Sequence, residues 1–252
     1  VVVFSESVDN KVLVQLMRVG IREFLAPPFH HGNVGETLLR VREQAAKSPG
    51  LAQGPTEFVF SFLPSKPGSG TTTTAVNAAI ALSKERDTET LLVDLDLNSG
   101  LTKFMLKLDN AYSVLDAAEH AGQLDDELWP QLVSKRGNLD ILHAGKMNPG
   151  VRVEMAQIRD MLDFARRRYK AVCVDLSGNM EKYSLEVMQE SKRIFLVCTS
   201  ELPSLHLARE RYQFLKQLDL GERVSILLNR TTKRELISPQ QIEQQLGLPV
   251  AM

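Results

Sequence analysis

The stretch Leu63-Pro64-Ser65-Lys66-Pro67-Gly68-Ser69-Gly70-Thr71-Thr72-Thr73-Thr74 decides how this chain is read. An apolar run, Phe58-Val59-Phe60-Ser61-Phe62, precedes it and reads as a strand. Ala75-Val76-Asn77-Ala78-Ala79-Ile80-Ala81-Leu82 follows it and reads as a helix. Strand, glycine-rich loop and helix form the context of a phosphate-binding loop. Gly68 and Gly70 allow the backbone to approach an anion closely. The first amides of the helix point at that anion, and the helix dipole adds attraction. Against the pattern G-x-x-x-x-G-K-[ST], Ser65 stands where the first Gly belongs and Thr71 where the Lys belongs. A lysine is present, but five residues early, at Lys66.

From Glu57 onward, apolar strands alternate with helical patterns. The expected strands are Phe58–Phe62, Thr90–Leu95, Leu139–His143, Ala171–Asp175, Arg193–Thr199 and Val224–Asn229. Several are continuous Val/Leu/Ile runs, as strands buried on both faces of a parallel sheet require. Met155, Ile158 and Leu162 form one helical stripe, and Leu205, Ala208, Tyr212 and Leu215 form another. Ser238-Pro239 opens a last short helix with Pro at its first position. The fold class is α/β, with a doubly wound, mostly parallel sheet and its site at the carboxyl ends of the strands.

Two of those ends carry acids. Leu91-Leu92-Val93 runs into Asp94-Leu95-Asp96, and Ala171-Val172-Cys173-Val174 runs into Asp175-Leu176-Ser177-Gly178. Mg²⁺ prefers oxygen ligands and binds through one or two carboxylates plus phosphates and waters. Thr72, at the junction of loop and helix, is placed to complete such a shell with Asp94 and Asp175. Asp94 and Asp96 can share one site only if the strand ends near Asp94, because successive strand residues face opposite ways.

The 252 residues are 43% hydrophobic and 24% charged, with net charge -1. This near-neutral balance gives no support for broad electrostatic binding to nucleic acid. No apolar run reaches membrane-spanning length and no signal-peptide pattern is present, so the expected location is the cytoplasm. Cys173 and Cys198 each lie inside an apolar run and read as buried free thiols. Residues 1–44 read as part of an α/β domain: strands over Val1–Phe4 and Ile21–Leu25, and helical stripes at Val12, Leu13, Leu16, Met17 and at Val34, Leu38, Val41. The chain starts in mid-strand without Met, and residues are expected to precede Val1. Residues 45–56, rich in small residues, Gly and Pro, read as a linker. Residues 57–252 are expected to form one nucleotide-binding domain.

The order of these motifs resembles the MinD/ParA group of deviant Walker ATPases, whose loop reads Lys-Gly-Gly-x-Gly-Lys-Thr-[Thr/Ser] with a first, signature Lys. The resemblance implies ATP and Mg²⁺ as cofactors. It makes Lys66 the signature Lys, reaching across a homodimer to the partner's nucleotide. Gly68, Ser69, Gly70, Thr71, Thr72 and Thr73 become the phosphate loop. Asp94-Leu95-Asp96 matches the group's Asp-x-Asp, whose second member, here Asp96, positions the attacking water. Asp175 matches the Walker B acid and Asn229 the adenine-contacting Asn. In this chain Pro67 replaces a Gly and Thr71 replaces the loop Lys.

Val19-Gly20-Ile21-Arg22-Glu23-Phe24-Leu25-Ala26-Pro27-Pro28-Phe29 resembles the end of a response-regulator receiver domain, with Pro27 at the Lys position and Ser5 at the switch Ser/Thr. A degenerate receiver joined to such an ATPase, without the loop Lys, is similar to the CpaE/TadZ branch of Flp/Tad pilus assembly proteins. So are Leu92-Val93-Asp94-Leu95-Asp96-Leu97-Asn98-Ser99-Gly100, Ser113-Val114-Leu115-Asp116-Ala117-Ala118 and Leu139-Asp140-Ile141-Leu142-His143-Ala144-Gly145. That resemblance implies a weakly hydrolysing, nucleotide-linked dimer that serves a pilus secretion machine. It implies recruitment to the cell pole or inner-membrane machinery, and only indirect membrane contact. Two alternatives stay open: a scaffold whose loop no longer binds nucleotide, and a partitioning ATPase of the wider group.

Other features read as structural. The five histidines make no metal spacing. Arg166-Arg167-Arg168 reads as the solvated, dipole-compatible end of a helix. Trp129-Pro130 reads as a turn whose Trp packs inward.

Overall fold

The computed structural model describes residues 2–4, 23–25, 34–35, 37, 55–147, 153–231 and 237–251. The chain divides into two compact units, Val1–Gly54 and Pro55–Met252. In the first, β1 (Val2–Phe4) and β2 (Glu23–Leu25) pair in parallel, with Val3 opposite Phe24. Residues 34, 35 and 37 are helical. Ser5, the stripe at 12–17, Pro27 and linker residues 45–54 lie outside the described residues.

The second unit is built on an eight-stranded sheet. Its strands are β3 (Val59–Pro64), β4 (Thr90–Asp94), β5 (Ser134–Arg136), β6 (Leu139–Leu142), β7 (Ala171–Asp175), β8 (Arg193–Cys198), β9 (Val224–Leu228) and β10 (Val250–Ala251). Their order is β10-β9-β8-β3-β7-β4-β6-β5, and every pair is parallel except β5 with β6. β3, which feeds the loop, therefore lies inside the sheet between β7 and β8. All six expected strands are present, Ala171–Asp175 with both ends as expected and no end elsewhere moved by more than two residues. The two strands that patterning missed lie at the sheet edges. β10 is two residues long and β5 is polar, so neither carries a period-2 signal.

The helices are α1 (Thr71–Lys84), α2 (Thr102–Met105), α3 (Val114–Glu119), α4 (Trp129–Leu132), α5 (Met155–Arg168), α6 (Lys182–Glu190), α7 (Leu202–Gln217) and α8 (Pro239–Leu246). Strand alternation sorts the core into two layers. Phe62, Leu92, Ile141, Cys173 and Val197 pack with Ala75, Val76 and Ala79 of α1. Leu63, Leu91, Val93, Val172, Val174 and Leu196 face the opposite way, into the larger layer with α3 and α5–α8. Both cysteines are buried and unbonded, one in each layer.

Several turns explain themselves. Ser113 caps α3: its Oγ accepts from Leu115 N at 3.3 Å, and its own N–H donates to Asp116 at 2.7 Å. Ser238 caps α8, with Pro239 at the first helical position as expected. Trp129-Pro130 is not a turn but the start of α4, because Pro is tolerated where the N–H has no intrahelical partner. The basic run ends α5, yet it is not wholly solvated. Arg166 pairs with Glu190 at 2.6 Å and donates to the Thr56 carbonyl at 3.0 Å. Arg168 pairs with Asp126.

Trp129 is fully buried as expected. Its indole N–H donates to Tyr169 Oη at 2.6 Å, and that hydroxyl donates to Asp140 Oδ2 at 2.6 Å. Burial, then the Asp140 carboxylate, pushes the Tyr169 phenol far above its usual range. The chain of bonds ties α4 and the end of α5 to β6. Trp129→Ala is expected to cost about 3–5 kcal/mol through the cavity it leaves. A thermal melt should show a fall of about 6–20 °C, and Trp129→Phe a smaller one.

Candidate nucleotide site

The loop begins where β3 ends. Ser69 N–H donates to the Lys66 carbonyl at 3.3 Å, closing Lys66-Pro67-Gly68-Ser69 into a turn. Gly68 has φ 79. Pro second and a Gly of positive φ third is the residue pattern of a type II turn. Pro67 thus sits where its fixed φ suits the turn and where the turn's own hydrogen bond does not need its N–H. It shapes the loop and removes one potential phosphate donor.

Gly70 follows with φ 89 and starts α1 with no side-chain cap. The leading amides of α1 are therefore left for an anion. A Cβ on Gly70 would fall 2.2 Å from Asn229 Nδ2. That amide donates to the Ser69 carbonyl at 2.8 Å, and Asn229 Oδ1 accepts from Arg230 N at 2.9 Å. Asn229, expected at the adenine, braces the loop here.

The acids converge on the same place. Phe62, Asp175 and Asp94 lie side by side across β3, β7 and β4. β4 ends at Asp94, which is the condition for Asp96 to join it. Asp94 is buried and accepts from Asp96 N at 3.1 Å and Thr102 N at 3.2 Å. Gly100 makes this packing possible, since a Cβ there would fall 2.8 Å from Asp94 Oδ2 and 2.5 Å from the Ala144 Cβ. Asp96 Oδ1 accepts from Ser99 N at 2.9 Å, holding the turn. Asp175 is buried and its Oδ2 has no hydrogen-bond partner.

Burial pushes the Asp94 carboxyl up to about 6, against the bonds from Thr102 and Asp96. Asp175 is pushed well above the usual carboxylate range by burial and by the Asp94 charge; the Thr72 hydroxyl opposes the shift. Two raised carboxyls and an orphaned oxygen fit a divalent cation. Among the described residues no group of three His, Cys, Asp or Glu is arranged to hold a metal unaided. Mg²⁺ suits such a sparse site, because phosphates and waters complete its shell.

A cavity of about 450 Å³ joins these parts, lined by Gly68–Thr73 of the loop, by Asp96 and by Asp175. That volume falls in the range of small-ligand sites. Lys66 is turned to another partner: its Nζ lies 3.0 Å from Glu201 Oε2. Thr71, at the missing-lysine position, shares a 3.0 Å hydroxyl bond with Ser69. Two cavity-lining cations, Arg211 and Arg230, were not picked out from the sequence. Arg211 sits among the polar positions of α7, where spacing cannot separate a site residue from a solvated one.

Neither a protein-family model nor a curated protein matches the sequence. Solved structures do match. A ParA family ATPase from Chlorobium tepidum is 25% identical with a TM-score of 0.72, over 78% of this chain and 83% of that one. MinD in the MinC:MinD cell division complex of Aquifex aeolicus is 22% identical, TM-score 0.63, over 77% and 79%. The septum site-determining protein MinD of Pyrococcus horikoshii, complexed with Mg-ADP, is 21% identical, TM-score 0.62, over 77% and 79%. The fold is that of the ParA and MinD ATPases.

The raised carboxyls set a testable sign. Between the unfolded value of 3.8 and about 6, the folded chain holds a proton on Asp94 that the unfolded chain has released, so stability falls as pH rises through that window. Asp175 acts in the same direction. Asp175→Asn removes one of the two charges. Its melting temperature without ligand should exceed wild type at pH 7 by about 2–4 °C, roughly 1 kcal/mol. The gain should shrink at pH 4, and Mg²⁺ with nucleotide should no longer stabilise the variant.

Proposed function

We propose that this chain is an ATP-binding, slowly hydrolysing assembly factor that works as a nucleotide-linked homodimer. The observation that carries the reading is the orphaned oxygen of Asp175, a residue paired with Asp94 and lining one cavity with a loop whose helix has no side-chain cap. Amides of Gly68 to Thr73 bind the phosphates. Thr72, Asp94 and Asp175 hold Mg²⁺, which neutralises phosphate charge when bound. Asp96 lines the same cavity and orients the hydrolytic water. The second amide hydrogen of Asn229 is left for adenine, the first being given to Ser69. Lys66 leaves Glu201 and reaches the partner's nucleotide. With Thr71 uncharged, each site lacks a same-chain lysine at the β- and γ-phosphates, so hydrolysis is slow and dimerisation and nucleotide binding strengthen each other.

Within that class, the CpaE/TadZ-like role in a Flp/Tad pilus machine is supported by the lost loop lysine, the retained Lys66 and the receiver-like segment before the ATPase domain. The net charge of -1 weighs against a DNA-partitioning role. No helix among the described residues is long and apolar enough to cross a membrane. Pilus or secretion proteins are the expected partners, and the cytoplasm or a machine docked at the pole is the expected location.

Calorimetric titration of Mg-ATP, paired with light scattering for mass, tests this. Binding accompanied by a doubling of mass is expected. A titration with no heat and no mass change leaves the scaffold reading standing instead. Lys66→Ala should bind more weakly and stay monomeric; a variant that dimerises normally removes the cross-dimer role.

A further inference from the structure

Arg211 projects from α7 back to the start of the loop. Its Nε donates to the Ser65 carbonyl at 2.9 Å. Its Nη2 lies 3.2 Å from where a Cβ on Gly178 would stand, and Gly178 follows Asp175 by three residues. The guanidinium is therefore wedged between the loop and the segment after β7, on the wall of the cavity that the loop amides line. Gly178 leaves it room.

The chemistry of this cation is incomplete. Lys66 already has Glu201 as its counter-charge. No carboxylate lies within ion-pair distance of Arg211 among the described residues, and only Nε has a hydrogen-bond partner there. The side chain is half-buried, and desolvation alone lowers its pKa. A charge taken partly out of water without a partner is costly. Four guanidinium hydrogens on Nη1 and Nη2 remain, in the planar fork that suits phosphate oxygens.

We propose that Arg211 binds the nucleotide polyphosphate and supplies, from within the same chain, the positive charge that Thr71 lacks. This rests on the nucleotide reading above and changes it in one respect. The charge at each site then comes from the chain's own α7 as well as from the partner's Lys66, so a monomer binds nucleotide before it pairs.

The test is titration of Mg-ATP into dilute protein held monomeric by Lys66→Ala, with and without Arg211→Gln. Arg209→Gln, on the exposed side of the same helix, is the control. Arg211→Gln should weaken binding at least tenfold, Arg211→Lys should weaken it less, and Arg209→Gln should leave it unchanged. Adding Thr71→Lys to Arg211→Gln should restore binding, because the lost quantity is charge. Equal binding with and without Arg211→Gln overturns the role of Arg211 and leaves the nucleotide site intact. Loss without rescue by Thr71→Lys overturns it too, assigning Arg211 to bracing Ser65. Failure of the wild-type chain to bind Mg-ATP at all overturns both readings. Arg211→Lys keeps the test decisive if Arg211→Gln folds poorly.

Discussion

Two carboxylates side by side at the buried end of a parallel sheet form the constraint on which this structure turns. Asp94 and Asp175 are paired residues of adjacent strands, so the register that aligns β4 with β7 also forces the acids together. Burial raises both carboxyls above their usual range, and the Asp94 charge adds to the shift on Asp175. The surroundings are arranged to tolerate that strain. Backbone amides of Asp96 and Thr102 hold Asp94, the Thr72 hydroxyl supports Asp175, and Gly100 concedes the space that any side chain would fill. A sheet that only needed a core would place apolar residues at these two positions.

Around that pair, the loop solves an unusual sequence with ordinary turn chemistry. Pro67 and Gly68 are the two residues a tight turn of this type favours. Lys66 then emerges beside the start of α7, where Glu201 meets it. The loop's one lysine is consequently spent outside the cavity, on Glu201, while an arginine from α7 lines it. A lysine of the loop and an arginine of α7, more than a hundred positions apart, thus stand on opposite sides of the cavity's boundary.

The parts of this arrangement visible in the sequence are those that repeat a local rule. Continuous apolar runs marked β4 and β7 because both faces of those strands are covered. Glycines flanking a serine marked the loop, and the carboxylates marked strand ends. What stayed hidden depends on distance. Ser134-Lys135-Arg136 pairs as an edge strand only because β6 lies alongside. Asn229, expected to end a strand, instead follows one that stops at Leu228; that its amide would clamp Ser69 follows from β9 and the loop meeting at the top of the sheet. Arg211 has the same local context as Arg209, and only the tertiary path of α7 separates a wall of the cavity from solvent. Trp129-Pro130 misled in the other direction, because a dipeptide that often makes a turn can also open a helix.

The two cysteines have a use independent of nucleotide. Cys173 belongs to the layer under α1 and Cys198 to the opposite one. Burial raises both thiols to about 12, so in the closed fold neither is nucleophilic at neutral pH. They are the only cysteines in the chain. Alkylation of each then requires its own side of the sheet to open. The protein carries an internal pair of reporters, one per layer, from which mass spectrometry can read whether the faces unfold together or in sequence.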